Sequence, residues 1–502
     1  MYRAPAPGAS RWILLRPLAR IFARGESAMP THDPKRALQG EETRERVASS
    51  GFPALAAQAS PARADGVGLE PEMFALPLDP AGLPAGRLPL EGPGGVIEIF
   101  DELALSEPWI RPRDPSSSSL RYDLAQGGNF TFEPGGQVEH STAVHPTAAA
   151  ALRDLDETRA ILCGAFRARG VALAKAGLDL WNRVEDVPQQ LRAPRYPAMA
   201  SYFDARSTAG RVMMRHTATM QINLDLGPPG TAEERWRLAN LVSPLITATF
   251  AASPTEAAGG AVCGRALAWQ ELDPTRTGFP RLFLEGAADD PIGALEDAAL
   301  AADVLLFRHE GSDGASPGSP GFTFGRWLRE GHPVHGWPTP QDLEYHLTTL
   351  FFEVRCRGFF EFRACDALPE PWHPVPVVFL AGLLYDPQAR GEALARLEPH
   401  RARTPALWHV AARRGVGDPG LRELALPVWE VALAGAARLA PGYFHDEHLA
   451  VAERFLERFT RAGRMPSDEL REAFARSPKE ALEWAAGDAP CPDRGPYGKV
   501  GA

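Results

Sequence analysis

From His216 to Leu226 the chain alternates without a break, with Thr217, Thr219, Gln221, Asn223 and Asp225 on one side of a two-residue period and Ala218, Met220, Ile222 and Leu224 on the other. A strand with this pattern must lay its apolar side on a core. Its other side is uniformly hydrogen-bonding and lacks the Lys, Glu and Arg that usually crowd a solvent face. Facing bulk water is the plain reading of such a side, and the missing long charges favour the wall of a cleft. His216, at the head of the run, reads as structural before it reads as a base.

Two other segments supply charge for such a cleft. GLEPE at 68–72 puts Glu70 and Glu72 on one face of a strand. TFEPGGQVEHS at 131–141 is patterned as a strand and carries Glu133, Gln137 and Glu139 around a Gly-Gly pair, where the backbone is free to bend or to admit a ligand. Four carboxylates on two strands are the hard oxygen donors that a divalent cation such as Mg²⁺ takes. Glu139 has the firmer claim to a metal, because Glu133 precedes the glycine break and also reads as a substrate-side group. A further strand-like stretch, HLTTLFFEVRCRGFFEFRACD at 346–366, sets Glu361 and Arg363 opposite Phe360 and Phe362, with Arg355 in the preceding strand. Exposed, these would be ion pairs of little worth. In a cleft, Glu361 is a metal ligand and the planar fork of Arg363 suits a phosphoryl group.

The remainder sets limits. With 502 residues, 44% of them hydrophobic, the chain can bury a large core. A net charge of -10 disfavours nucleic acid as a partner. No apolar run is long enough to span a membrane, and no protein partner is evident. The five cysteines, Cys163, Cys263, Cys356, Cys365 and Cys491, show no CxxC spacing, which points to a reducing cytoplasm rather than to a disulfide framework or zinc. Residues 1–64 read as a flexible extension: five arginines precede Glu26, which is also a transit-peptide pattern, and Met29 is an alternative start. The loop at 311–321 reads as a mobile lid or insertion. Thr147 to Gly170 reads as an amphipathic helix, and the chain past residue 400 as a helical layer. HDEH at 445–448 reads as a helix start rather than a metal site. No GxxxxGK[ST] phosphate loop is present.

The motifs GLEPE, TFEPGGQVEHS, TATMQINLD (217–225), RALAWQELDPTRTG (265–278) and the 346–366 stretch together, and in this order, resemble glutamate–cysteine ligase of the plant and proteobacterial type, nearest to the bacterial branch serving ergothioneine synthesis. The resemblance covers roughly residues 65–390. It implies an α+β, glutamine-synthetase-like fold in which an antiparallel sheet forms an acid-lined funnel flanked by helices, with a catalytic domain at 65–400 and a helical region at 401–502 packed on it. It also implies ATP and Mg²⁺ as cofactors, phosphorylation of the γ-carboxylate of glutamate, and displacement of phosphate by the amine of cysteine. Carried over by motif, Glu70, Glu72, Glu133, Glu139, Glu361 and Gln221 hold Mg²⁺. Thr217, Thr219, Arg265, Trp269 and Thr349 bind glutamate, Arg363 stabilises the transferred phosphoryl group, and Arg355 joins it at the nucleotide. The chain departs from the family at Ala252, Phe352, Cys263, His140 and Thr142, changes that bear on the acceptor-amine pocket. Other readings are a ligase of this fold using another amine, and a silent relative that only binds.

Overall fold

The computed structural model describes residues 38, 40–53, 65–114, 119–286, 290–309, 311–440 and 442–487. In chain order the strands are β1 (Val67–Pro77), β2 (Tyr122–Asp123), β3 (Asn129–Phe132), β4 (Val138–Ser141), β5 (Val171–Ala174), β6 (Met220–Asp225), β7 (Thr277–Gly278), β8 (Leu306–Arg308), β9 (Ala315–Pro317), β10 (Phe351–Phe352), β11 (Val354–Cys356) and β12 (Phe359–Phe362). Eight of them form one sheet in the order β11-β12-β6-β1-β4-β3-β2, with β5 paired to β1. Every pairing in that sheet is antiparallel. Strand β1 is long enough to serve three neighbours: Val67–Pro71 pair with β6, Glu72 and Met73 with β4, and Phe74–Pro77 with β5. The expected α+β class with an antiparallel sheet flanked by helices is what the chain adopts.

The alternation in β6 is resolved by its position. It lies between β1 and β12, not at an edge. Met220, Ile222 and Leu224 pack with Val67, Leu69, Phe360 and Phe362 in the main core, against the helices Thr231–Thr249 and Val375–Tyr385. Burying each of these side chains contributes about 2 kcal/mol or more. The same core takes in Trp429 from the helix Pro419–Leu439 and Phe455 from the helix Asp446–Phe455, so the C-terminal helices close one side of the sheet. Gln221 and Asn223 on the opposite face are buried as well.

Several local readings are corrected. The segment 131–141 is a hairpin, not one strand: Pro134 cannot donate to a ladder, Gly136 has φ +80°, and Glu133 N–H closes the turn on Gln137 O at 3.0 Å. The 216–226 run begins as the end of the helix Ala209–His216. The 346–366 stretch likewise begins in the helix Pro340–Leu347 and then splits into β10, β11 and β12. The supposed mobile loop at 311–321 contains β9, which pairs with β8. Within the supposed flexible extension, Gly40–Gly51 is a helix, and Phe52 after it packs on Phe360 at a centroid distance of 6.4 Å. The remaining readings on residues 1–37, including the arginine-rich start, lie outside the described residues. The stretch read as an amphipathic helix is the helix Ala148–Ala168, with Thr147 as its N-cap, and HDEH opens a helix as read, with His445 at the N-cap.

Candidate active site

The sheet register assembles the polar face. Glu70 stands opposite Gln221, Glu72 opposite Glu139, Glu139 opposite Thr131, Glu361 opposite Asn223, and Arg355 opposite Glu361. Acids, amides and arginines therefore share one face across five strands, with Thr131 continuing it onto a sixth.

Its centre is Glu72, Glu133 and Glu139, each offering a carboxylate oxygen within 4.8 Å of the others. Glu133 reaches this point from the hairpin turn, so the glycine break folds it back toward Glu139 rather than away from it. Thr219 anchors Glu72, donating from its N–H at 2.9 Å and its hydroxyl at 3.1 Å. Thr131 donates to Glu139 at 2.5 Å. Gln221 donates to Glu72 at 3.3 Å and Glu139 at 3.4 Å, while its carbonyl accepts from Arg363 at 2.6 Å. Glu70 lies beside the trio, bonded to Asn223 at 2.7 Å.

The electrostatics of this cluster are those of a site short of positive charge. Burial, then repulsion from Glu139 and Glu361, pushes the Glu70 carboxyl up to about 7. Burial and Glu133 push Glu139 up to about 7. Burial together with Glu133 and Glu139 raises Glu72 well above the ordinary carboxylate range. Burial also raises Glu133, opposed by Arg363 and Arg195. Like charges in a low dielectric resist ionisation until a cation joins them. The donor set, all carboxylate oxygen, fits a hard divalent ion such as Mg²⁺.

Glu361 is different in kind. Burial would raise it, but Arg355, Arg363 and Arg357 hold its carboxyl well below the usual range. Its oxygens accept from Arg363 at 2.5 Å, Arg355 at 2.7 Å and Arg357 at 3.2 Å. In this arrangement it organises three arginines at one end of the row, apart from the acidic trio. Arg363 is the link between the ends, lying 5.3 Å over the Trp269 ring.

Arg265 and Trp269 sit one turn apart on the helix Gly264–Leu272. Arg265 is bound side-on by Asp366 at 2.5 Å and by the Ala364 carbonyl at 2.6 Å. Two expected glutamate contacts have their hydroxyls engaged by the fold: Thr217 donates to Met213 O at 2.8 Å, and Thr349 donates to His346 O at 2.7 Å while accepting from buried Arg276 at 3.1 Å. Residues not singled out from the sequence also line the site. Arg195, stacked near Tyr196 and Tyr345, acts on Glu133, and its buried Nε has no hydrogen-bond partner among the described residues. It sits between Pro194 and Pro197, in a stretch with no periodic signal. Arg357 and Glu353 share the parity of Arg355, so the two-residue period did mark them.

An acid-lined, arginine-rimmed face on an antiparallel sheet is the framework of an enzyme that handles charged substrates beside a cation. The chain belongs to the glutamate–cysteine ligase family 2 (GCS2), whose family model matches residues 66–487, and it is a ligase. It is 35% identical over 402 residues to the glutamate–cysteine ligase EgtA of Mycolicibacterium smegmatis, covering 78% of this chain and 87% of that protein. It is 33% identical over 276 residues to the chloroplastic glutamate–cysteine ligase of Brassica juncea, covering 52% of this chain and 51% of the relative. Among solved structures it is similar to a glutamate–cysteine ligase of Francisella tularensis in complex with AMP, with a TM-score of 0.46, 13% identity, and coverage of 84% of this chain and 88% of that one.

Proposed function

We propose that this enzyme joins the γ-carboxylate of L-glutamate to the amine of L-cysteine with ATP, through γ-glutamyl phosphate, giving γ-glutamylcysteine, ADP and phosphate. Residues 65–400 form the catalytic domain and 401–502 the C-terminal region, whose described helices pack on the sheet. The supporting observation is the acidic trio joined through Gln221 to Arg363. Glu72, Glu133 and Glu139 would hold Mg²⁺, with Glu70 alongside, and the ion would supply positive charge to offset that of the ATP phosphates. The γ-carboxylate attacks the terminal phosphorus, the bond to ADP breaks, and Arg363 donates to the phosphoryl oxygens as charge spreads over them. Arg265 takes the α-carboxylate and Trp269 covers the aliphatic stem. The acceptor amine then attacks the acyl carbon and phosphate leaves. No protein nucleophile is needed, and the described cysteines suit that: Cys263 and Cys365 are buried, with thiols that burial raises. No described helix is long and apolar enough to cross a membrane.

ADP release measured with glutamate, Mg²⁺ and a panel of amino-acid acceptors tests this. Cysteine is expected to stimulate it most. Stimulation by a different amine alone would refute cysteine as acceptor, and no glutamate-dependent turnover at all would refute the ligase.

The cation site has a pH signature. Glu70 and Glu139 sit at about 7 in the fold against an ordinary 4.5, so the metal-free protein loses stability as pH rises through that window. Mg²⁺ binds the ionised carboxylates and opposes that loss. The gain in Tm on adding Mg²⁺ is therefore expected to be near zero at about pH 5.5 and to reach roughly 2–4 °C at about pH 8. A gain equal at both pH values would count against carboxylate ligands.

A further inference from the structure

A second cleft opens outside the acidic row. It has a volume of about 340 Å³, room for a small organic molecule rather than a lone ion. One wall is the segment 185–190, with Glu185 and Gln189; the other is made by the helices Arg195–Asp204 and Ala209–His216. None of its lining side chains takes part in the chemistry described above.

The charges in this cleft are unequally matched. Both Asp204 oxygens accept from Arg211, whose Nε donates at 2.8 Å and Nη2 at 3.1 Å. Arg215 has no acid within ion-pair distance among the described residues. Its Nη1 donates to the Val187 carbonyl at 3.0 Å, which leaves the rest of the guanidinium fork to the cleft. Burial, then Arg211, opposes its charge, a deficit that an anion would relieve. On the facing wall, Glu185 has only Arg183, at 3.7 Å, as an ion-pair partner among the described residues, and its side chain is 62% exposed. Ala200 and Met214 add apolar surface.

The same two walls clamp the hairpin that carries Glu133. From the first, Gln190 donates its N–H to Pro134 O at 2.6 Å and its side-chain amide to Gly135 O at 3.0 Å. From the second, the Arg215 backbone lies so close to Gly135 that a Cβ there would overlap the Arg215 carbonyl oxygen. Just past that helix, Thr217 O accepts from Gln137 at 2.8 Å. The bond from Arg215 to Val187 ties the walls to each other.

We propose that this cleft is an effector site for a small zwitterion, an amino acid or a short peptide, whose carboxylate binds Arg215 and whose ammonium binds Glu185. Bridging the walls, such a ligand firms the clamp on the hairpin and so strengthens the cation site. The effect on the cation rests on the reading of Glu133 as a Mg²⁺ ligand; the binding itself does not.

Calorimetric titration of the full-length, metal-free protein with L-alanine and with L-alanyl-L-alanine tests the site and the size of ligand it takes. At least one probe is expected to bind with a Kd of about 1 mM or tighter, and to bind Arg363→Ala equally well. Arg215→Gln and Glu185→Gln are each expected to weaken it by about tenfold or more. N-acetylation, which removes the ammonium, is expected to cost about tenfold in the wild type and less than about threefold in Glu185→Gln. Occupancy is expected to lower the Mg²⁺ concentration for half-maximal binding by about fivefold, and Mg²⁺ to tighten the probe by the same factor. Failure of both probes to bind, binding unchanged in both cleft variants, or binding lost in Arg363→Ala would overturn the site. Probe and Mg²⁺ that both bind without affecting each other would overturn the coupling. Wild-type protein that binds the probe but no Mg²⁺ would bring down the cation reading and leave the effector site standing.

Discussion

Glutamate-dependent ATP turnover is expected to fall by about 100-fold or more in Glu72→Gln and in Glu139→Gln, while metal-free protein of either variant becomes more stable at pH 8 than the wild type. The two effects have one cause. Glu72 is buried and Glu139 half-buried, and desolvation with their acidic neighbours opposes the ionisation of each, so its charge destabilises the fold in the absence of a cation. Glutamine keeps the volume, removes that charge, and with it the reason for a divalent ion to bind. At Glu72 the loss goes further. Thr219 aims two donors at the two oxygens of this carboxylate, and glutamine keeps an acceptor oxygen for only one of them. The pair of measurements is steady-state ADP release across Mg²⁺ concentration and thermal unfolding in chelator. Activity within twofold of wild type at unchanged Mg²⁺ demand would remove these residues from the cation site. Lower activity with lower metal-free stability would mean that the acids serve the fold first.

The sheet face was legible because β strands obey an invariant period. Parity alone placed Glu70 with Glu72, Gln221 with Asn223, and Glu361 with Arg363, and the register then joined them across strands. What parity cannot supply is pairing. Nothing local in TFEPGGQVEHS says that Glu133 returns to within 4.8 Å of Glu139 and Glu72, since that follows from a turn closed between Glu133 and Gln137. Nor does the order of residues reveal that Glu361 is surrounded by Arg355, Arg357 and Arg363, because that cage depends on β11 and β12 folding back on each other. The threonines mark the same limit from the other side. Thr217 and Thr349 have the right chemistry for a substrate contact, yet each hydroxyl is captured by a neighbouring backbone carbonyl, a local bond these short side chains make readily. Arg195 was invisible for want of any period, since it opens the helix Arg195–Asp204 between two prolines.

Removing the Arg363 guanidinium is expected to cost more still, about 1,000-fold in kcat for Arg363→Ala, with the KM for glutamate changing by less than about tenfold. Its environment explains the split. The α-end of the donor is held by Arg265 on a separate helix, so ground-state binding survives the loss. At the γ end, Arg363 links the acidic trio, through Gln221, to the arginine cluster around Glu361, and Coulomb attraction from it reaches Glu72, Glu133 and Glu139. A planar cation there meets phosphoryl oxygens only when charge develops on them, which lowers the barrier rather than the ground state. The fold is expected to tolerate the change, because Glu361 keeps Arg355 and Arg357 as counter-ions. Arg363→Lys is expected to recover little, since an ammonium lacks the fork that spans Glu361, Gln221 and a phosphoryl oxygen together. Single-turnover ADP formation separates the step: a slow burst with normal glutamate affinity supports the assignment. A kcat within tenfold of wild type, or a lysine variant at full speed, would place phosphoryl stabilisation on another residue, with Arg195, the other arginine acting most on Glu133, left to carry it.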